Sequence, residues 1–159
     1  MSVNLPPFQA LLEEHRADVY RFLVATAGVA EADDAFQETW IAALRAYPKL
    51  RRGDNLRAWL FRIAQNKSID AHRARNRRAV PVAAVPEGAS SGGIAVGGDE
   101  ELWERVRRLP AKQRTAVYCR SVLGMPYDEL AQLLESSEDA ARRNVHEGLK
   151  RLREELTDE

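Results

Sequence analysis

The sequence predicts an all-α protein made of two small helical domains joined by a flexible linker. Three observations predict it. Apolar residues recur at three- and four-residue spacing on both sides of a central break, the pattern of helices with one buried face. Gly28, Tyr47-Pro48, Leu109-Pro110 and Gly124 punctuate those stretches where a helix must end or turn. The break itself, AVPVAAVPEGASSGGIAVGG at residues 79–98, is dominated by Pro, Gly, Ser and Ala with almost no charge. Such a run cannot bury enough surface to order itself. It is also too long for a loop inside a compact domain. The boundaries are therefore 8–79 for the first domain, 80–98 for the linker and 99–156 for the second domain.

In the first domain Phe8, Leu11, Leu12, His15, Val19, Phe22 and Leu23 mark a helix that follows Pro6-Pro7 and stops near Gly28. A second begins near Glu31. Ala32, Ala35, Phe36, Thr39, Ala43 and Leu44 form its apolar side, and Asp34, Gln37, Glu38, Ile41 and Arg45 fall elsewhere. Residues 49–55, KLRRGDN, read as a polar loop with its turn at Gly53-Asp54. Leu56 to Arg78 is then a helix without Pro or Gly, whose apolar side is Leu56, Trp59, Leu60 and Ile63.

The second domain reads as four helices. Leu102, Trp103, Val106 and Leu109 belong to the first, from Asp99 to Leu109. Ala111 to Leu123 is the second, stopped by Gly124, and Pro126 opens a third with Tyr127, Leu130, Ala131 and Leu134 inward. Residues 135–137 make a tight turn, and Ser136 with Asp139 has the spacing of a capping box. In the last helix Ala141, Val145, Leu149, Leu152 and Leu156 form the apolar line, with Arg142, Arg143, His146, Lys150 and Arg153 off it. A short helix, a tight turn and a long helix with exposed basic groups are the parts of a helix-turn-helix, and also of an ordinary helical hairpin.

Formal net charge is zero, so no argument about partners rests on the total. The distribution is informative. From Phe8 to Ala42 there are seven acids and two arginines. From Leu56 to Arg78 there are seven Lys and Arg against Asp70 alone. An acidic face followed by a basic face suggests two different partners. The basic helix suits either solvent or a phosphate backbone. The scarcity of acids for i,i+4 pairing and the interleaved Trp59, Phe61, Gln65 and Asn66 favour nucleic acid. Cys119 is the one cysteine, so there is no disulfide framework, and His15, His72 and His146 lack ligand spacing, which leaves no metal or cofactor to expect. No signal-peptide core or membrane-length apolar run occurs, and a cytoplasmic protein without membrane insertion is expected. No nucleophile–base set, phosphate loop or paired carboxylates in a fixed frame is present, so no catalytic residue is assigned.

Stretches in both domains carry a resemblance. AEADDAFQETWIAALRAYPKL and LRAWLFRIAQNKSIDAHRARNRR resemble an acidic D-x-x-Q-E-x-[FW] helix and a W-L-x-x-I-A-x-N-x-x-I-D-x-x-R-x-x-x-R helix. LPAKQRTAVYCRSVLGMPYDELAQLL resembles L-P-x-x-Q-R followed by G-x-[ST]-x-x-E-[IL]-A. Both belong to the bacterial sigma-70 factors of RNA polymerase, in the compact extracytoplasmic-function (ECF) group, and they stand in that family's order.

The resemblance implies sigma domain 2, a linker in place of a third domain, and a helix-turn-helix sigma domain 4. It implies a promoter-specificity subunit that binds core polymerase at the β′ clamp helices and the β flap, binds promoter DNA, and has an anti-sigma factor as a further partner. Asp34, Gln37, Glu38 and Ile41 would then face the clamp helices. Lys49, Arg51 and Asn55, at the base-capture loop, with Arg62, Asn66, Lys67, Arg73 and Arg77, would hold the −10 element. Arg142, Arg143, His146 and Lys150 would read the −35 element. The chain departs from the family where T-V-K-S-R-L is common: residues 140–145 are AARRNV, and Tyr127 is taken to stand where Ser or Thr is usual. A DNA-binding regulator that works without polymerase would explain the second domain but not the acidic and basic helices of the first. An anti-sigma-type adaptor would lack the basic helix.

Overall fold

The computed structural model describes residues 5–50, 55–77 and 100–157, and every regular element in them is helical. They are α1 (Phe8–Ala27), α2 (Val29–Ala46), a 3-10 turn (Tyr47–Lys49), α3 (Leu56–Arg77), α4 (Glu100–Arg108), α5 (Ala111–Ser121), α6 (Tyr127–Leu134) and α7 (Glu138–Thr157). The chain divides into two compact units, Met1–Val96 and Gly97–Glu159. The expected linker at 80–98, the expected helix positions Arg78 and Asp99, and the loop residues 51–54 with Arg51 lie outside the described residues.

In the first unit α1, α2 and α3 pack against one another. Gly28 alone separates α1 from α2, at φ 95°. Its N–H closes α1 on the Val24 carbonyl at 3.0 Å, and its own carbonyl accepts the Glu31 N–H at 3.2 Å. A side chain at that φ would be strained, so the reversal needs glycine. Because one residue suffices, α2 starts at Val29, two residues before the expected Glu31.

The core of this unit joins Leu11, Val19, Phe22 and Leu23 of α1 to Ala32, Ala35, Thr39 and Ala43 of α2 and Leu60, Phe61 and Ala64 of α3. Phe22 and Phe61 meet edge to face, centroids 5.5 Å apart. Buried hydroxyls are satisfied locally. Ser68 donates to Thr26 Oγ1 at 2.8 Å, Thr26 donates to the Phe22 carbonyl at 2.8 Å, and Thr39 donates to the Ala35 carbonyl at 2.7 Å.

Two apolar sides differ from the periodicity. On α3 the buried line is Phe61, Ala64, Gln65 and Ser68 with Leu60 and Ala58, whereas Leu56, Trp59 and Ile63 are half-buried. Small Ala64 and Ser68 carry little hydropathy signal, yet they are what lets α3 approach its neighbours closely. On α2 Leu44 is 57% exposed and Trp40 is buried, its ring edge-on to Phe8 at 6.0 Å and Phe36 at 6.1 Å. The flat indole fills space between helices that Leu44, one turn further on, does not reach.

In the second unit α5 and α6 pack on α7, and α4 packs on α5 and α7. Pro110 precedes α5, and its carbonyl accepts the Arg114 N–H at 2.9 Å. The Arg114 side chain is buried and turns back to the end of α4, where Nη1 donates to the Arg107 carbonyl at 2.9 Å and the Leu109 carbonyl at 3.4 Å. It thus serves the open carbonyls of a helix end. Burial pushes its pKa below the ordinary arginine range. Helix α5 ends at Ser121, short of the expected Leu123, and the chain turns through Gly124 so that the Met125 N–H reaches the Cys119 carbonyl at 3.0 Å. Cys119 is fully buried, a small core residue.

Glu135, at φ 54°, ends α6 in the left-handed conformation, and the Ser136 N–H bonds the Ala131 carbonyl at 2.9 Å. The cap of α7 is Ser137, not Ser136. Ser137 Oγ accepts the Ala140 N–H at 3.0 Å, and its carbonyl accepts the Ala141 N–H at 3.0 Å. The Ser136 hydroxyl instead donates to the Ser137 carbonyl. The left-handed residue delays the helix by one position, so the acceptor that meets the third N–H of α7 comes from residue 137.

On α7 Ala141, Val145 and Leu152 are buried as expected, but Leu149 is 37% exposed and Gly148 is buried beside it. A Cβ at Gly148 would lie 2.5 Å from Val117 Cγ2 and 3.4 Å from the Gln113 carbonyl oxygen. Val117 is buried and stiff at χ1, so it yields little. Gly148→Ala should therefore lower the stability of this unit by about 1 kcal/mol. The overpacking cost of roughly 1–3 kcal/mol outweighs the gain in helix propensity of about 1 kcal/mol. Thermal or urea unfolding checks this, and combination with Val117→Ala should cost less than the sum of the two single changes.

Candidate polymerase and nucleic-acid interfaces

Helix α2 turns its small residues inward, which leaves its long polar residues outside. Asp34, Gln37, Glu38 and Ile41 are all exposed, and their i, i+3, i+4, i+7 spacing places them in one line. Ile41 is 50% exposed and Leu44 continues the line one turn on. The strip is acidic and ends in exposed aliphatic side chains. Periodicity places Leu44 inward, and only the packing of Trp40 shows where it lies.

On α3 Asn66, Arg73 and Arg77 are exposed and Arg62 and Lys67 are half-buried. At 3.6 residues per turn, Arg62, Asn66, Arg73 and Arg77 fall within about 60° of one another, while Lys67 lies about 140° from Arg62. The helix therefore presents one basic line along its length. Two of the residues interleaved with the basic ones do not belong to it. Phe61 is fully buried against Phe22 and Gln65 is buried, since both fall on the face that packs in the core. Trp59 is half-buried with its ring 6.1 Å from Tyr47. Tyr47 in turn meets Phe8 at 5.3 Å and donates to the Pro6 carbonyl, and burial raises its pKa. This aromatic group supports a packing role for Trp59.

The ends of the 49–55 loop are defined. Lys49 is exposed at the end of the 3-10 turn. Asn55 caps α3: its Oδ1 accepts the Ala58 N–H at 3.0 Å and its carbonyl accepts the Trp59 N–H at 2.9 Å. An Asn directly before the first periodic apolar residue is a cap signal that the sequence carried.

On α7 Arg142, Arg143, His146 and Lys150 are all exposed, opposite Ala141, Val145 and Gly148. The residues at i, i+4 and i+8 from Arg142 share a face, and Arg143 flanks it. The Arg142 guanidinium lies over the Tyr127 ring, 4.4 Å from its centre, and Arg120 lies over the same ring at 4.2 Å. Elsewhere in this unit α4, α5 and α7 enclose an apolar cleft of about 440 Å³ lined by Leu102, Trp103, Val117, Val122, Leu149 and Leu152, among others. No helix among the described residues is long and apolar enough to cross a membrane.

The family model for sigma-70 region 2 matches residues 11–78, and that for sigma-70 region 4 matches residues 99–152. The ECF RNA polymerase sigma factor SigD of Mycobacterium tuberculosis is 36% identical over 159 aligned positions, which span 92% of this chain and 75% of that protein. The chain belongs to the ECF sigma factors. It is a promoter-specificity subunit of RNA polymerase and not itself an enzyme. The ECF sigma factor SigC of the same organism is 32% identical over 127 positions, spanning 77% of this chain and 69% of that protein. The sigma factor RpoE of Bartonella quintana, solved in complex with the anti-sigma factor NepR, shares the fold with a TM-score of 0.72 at 23% identity, over 94% of this chain and 96% of that one.

Laid on this sigma factor from Gly124 to Glu129, the family spacing G-x-[ST]-x-x-E puts the Ser/Thr position at Pro126 and not at Tyr127. Pro126 is the residue before α6 and makes no side-chain cap. Its fixed φ, −67° here, preorganises the helix start instead. The cap at Asn55 does use its side chain. Asn55→Ala should lower the unfolding free energy of the first unit by about 1 kcal/mol. Asn55→Asp should lose much less, and a thermal melt of the two variants checks the difference.

Proposed function

We propose that the two units divide the work of promoter recognition, the first holding polymerase and the −10 element and the second reading the −35 element. The observation that carries this is the separation of three exposed lines: acidic-aliphatic on α2, basic on α3 and basic on α7. In this reading Asp34, Gln37, Glu38 and Ile41 face the β′ clamp helices. Lys49, Arg51 and Asn55 border the base-capture loop. Arg62, Asn66, Lys67, Arg73 and Arg77 follow the −10 strand and its upstream duplex. Melting requires base capture as well as phosphate contact. With Phe61 in the core and Trp59 packed on Tyr47, the loop is the better candidate for capture and the arginines for anchoring phosphates.

Arg142, Arg143, His146 and Lys150 read the −35 duplex from the first turns of α7, the part of a helix-turn-helix that enters the major groove. The apolar cleft between α4, α5 and α7 receives the β flap, since an amphipathic segment fits such a groove. RpoE and the related CnrH were both solved with a bound partner, the anti-sigma factor NepR and the cytosolic domain of CnrY. An anti-sigma factor is accordingly proposed for this chain, which works in the cytoplasm beside polymerase.

The test is reconstitution of holoenzyme from core polymerase and the full chain, with binding measured on promoters that vary in the −35 element and across salt concentrations. Glu38→Lys should weaken the affinity for core about tenfold, a change of 1.4 kcal/mol, while the melting curve stays in place. Arg77→Ala should weaken every promoter alike and reduce the salt slope by about one. Arg143→Ala should change preference at one −35 position, where a bidentate guanine contact discriminates by about 1–3 kcal/mol. Uniform weakening by Arg143→Ala together with a shifted preference from Arg77→Ala would reverse the assignment. Unchanged core affinity of Glu38→Lys would remove α2 from the polymerase interface.

A further inference from the structure

We infer that Tyr127 is a positioning residue for −35 recognition, its ring holding the Arg142 guanidinium in place before DNA arrives. The inference rests on the −35 role proposed for α7. Tyr127 is the first residue of α6 and is half-buried, so its ring is placed by the helix start rather than by solvent. Arg142 is on α7, exposed at the start of the second turn. Its guanidinium carbon lies 4.4 Å from the ring centre, within the range where the negative face of an aromatic ring attracts a cation. The contact therefore joins the two helices of the helix-turn-helix through one of the side chains proposed to touch DNA.

Arg120 makes the arrangement more than a chance surface contact. It comes from a third helix, α5, and its guanidinium lies 4.2 Å from the same ring centre. Its Nη1 donates to the Met125 carbonyl at 3.1 Å, and Met125 is fully buried. One guanidinium on the ring is thus anchored to the α5–α6 connection, and the other sits on the outer helix. Two like charges that share one ring repel each other. The repulsion and the stacking together restrict where Arg142 can go, and a phosphate or a guanine edge relieves the repulsion when it arrives. An arginine free to sample all its rotamers would have to be ordered at the moment of binding, and that ordering weakens affinity. The ring removes part of that cost while leaving the guanidinium edges available to DNA.

The test uses holoenzyme reconstituted with the full chain and a promoter library randomised across the −35 element. Binding enrichment is compared for wild type, Arg142→Ala, Tyr127→Leu, Tyr127→Met and Tyr127→Phe, with the melting temperature of each chain as a control. Tyr127→Leu should flatten preference at the same base positions that Arg142→Ala flattens and lower affinity for the preferred site about threefold. Tyr127→Phe, which keeps the ring, should restore both. In the Arg142→Ala background Tyr127→Leu should add no further loss. Should Tyr127→Leu fail to fold, Tyr127→Met fills the same space without the ring face and is read in the same way. A full wild-type profile in both Leu and Met variants, with Arg142→Ala still flattened, would overturn the positioning role and leave the −35 reading intact. No effect of Arg142→Ala on any −35 position would overturn the −35 reading itself, and this role with it.

Discussion

How closely the helices approach one another decides which side chains each unit presents to its surroundings. In the first unit α2 meets its neighbours through Ala32, Ala35, Thr39 and Ala43, and α3 through Ala58, Ala64 and Ser68. In the second, α7 meets α5 through Gly148, where even a methyl group would collide with Val117. Small side chains at a contact let two helices approach closely and leave little space there for long polar ones. Those side chains must point outward, and each of the three proposed recognition lines is the outer face of a helix packed in this way.

The close packing also sets where polar groups can be buried. Thr26, Thr39 and Ser68 are buried, yet each hydroxyl has a partner within its own helix or across one contact. An unsatisfied hydroxyl there would cost on the order of 1–3 kcal/mol. Arg114 is the costlier case, a guanidinium held inside the second unit. Carbonyls at the end of α4 accept from it, and so the burial ties the break at Leu109-Pro110 to the helix that follows. Arg105 and Glu129 are buried as well, and Arg105 pairs with Glu101 at 2.8 Å. The net charge is zero, but acids lie on the outer line of α2 and arginines on the outer lines of α3 and α7. Local potential, not total charge, is what a polymerase surface or a DNA backbone meets.

Membership of the ECF sigma factors explains why one small chain carries lines of opposite character. A specificity subunit has to hold a protein and a nucleic acid at once. The family motifs mix two kinds of residue, and the fold separates them. In the α3 motif Leu60, Phe61 and Ala64 are core, while Asn66, Arg73 and Arg77 are surface. Within the helix-turn-helix, Leu130, Ala131 and Ala141 are core and Arg142, Arg143 and His146 are surface. Tyr127 stands between these classes, half in the unit and half under two guanidinium groups.

The sequence by itself determined the all-helical class, the stops at Gly28 and Leu109-Pro110, and the outward direction of Asp34, Gln37, Glu38, Arg142, Arg143, His146 and Lys150. Periodicity and backbone chemistry are local, and these features depend on nothing beyond a few neighbouring residues. The family was legible too, because its motifs combine core spacing with surface chemistry over long stretches. Tertiary structure decided what periodicity leaves open by a rotation of part of a turn. It buried Phe61 and Gln65 rather than Trp59 and Ile63, Trp40 rather than Leu44, and Gly148 rather than Leu149. Hydropathy counts how apolar a residue is. Burial at a close helix contact depends on how small it is, or on whether a flat ring fits the gap, and only the assembled neighbours define that gap. The cap at Ser137 and the paired arginines on Tyr127 have the same origin. One follows from a left-handed residue that shifts the helix start, and the other from three helices that bring residues 120, 127 and 142 to one point.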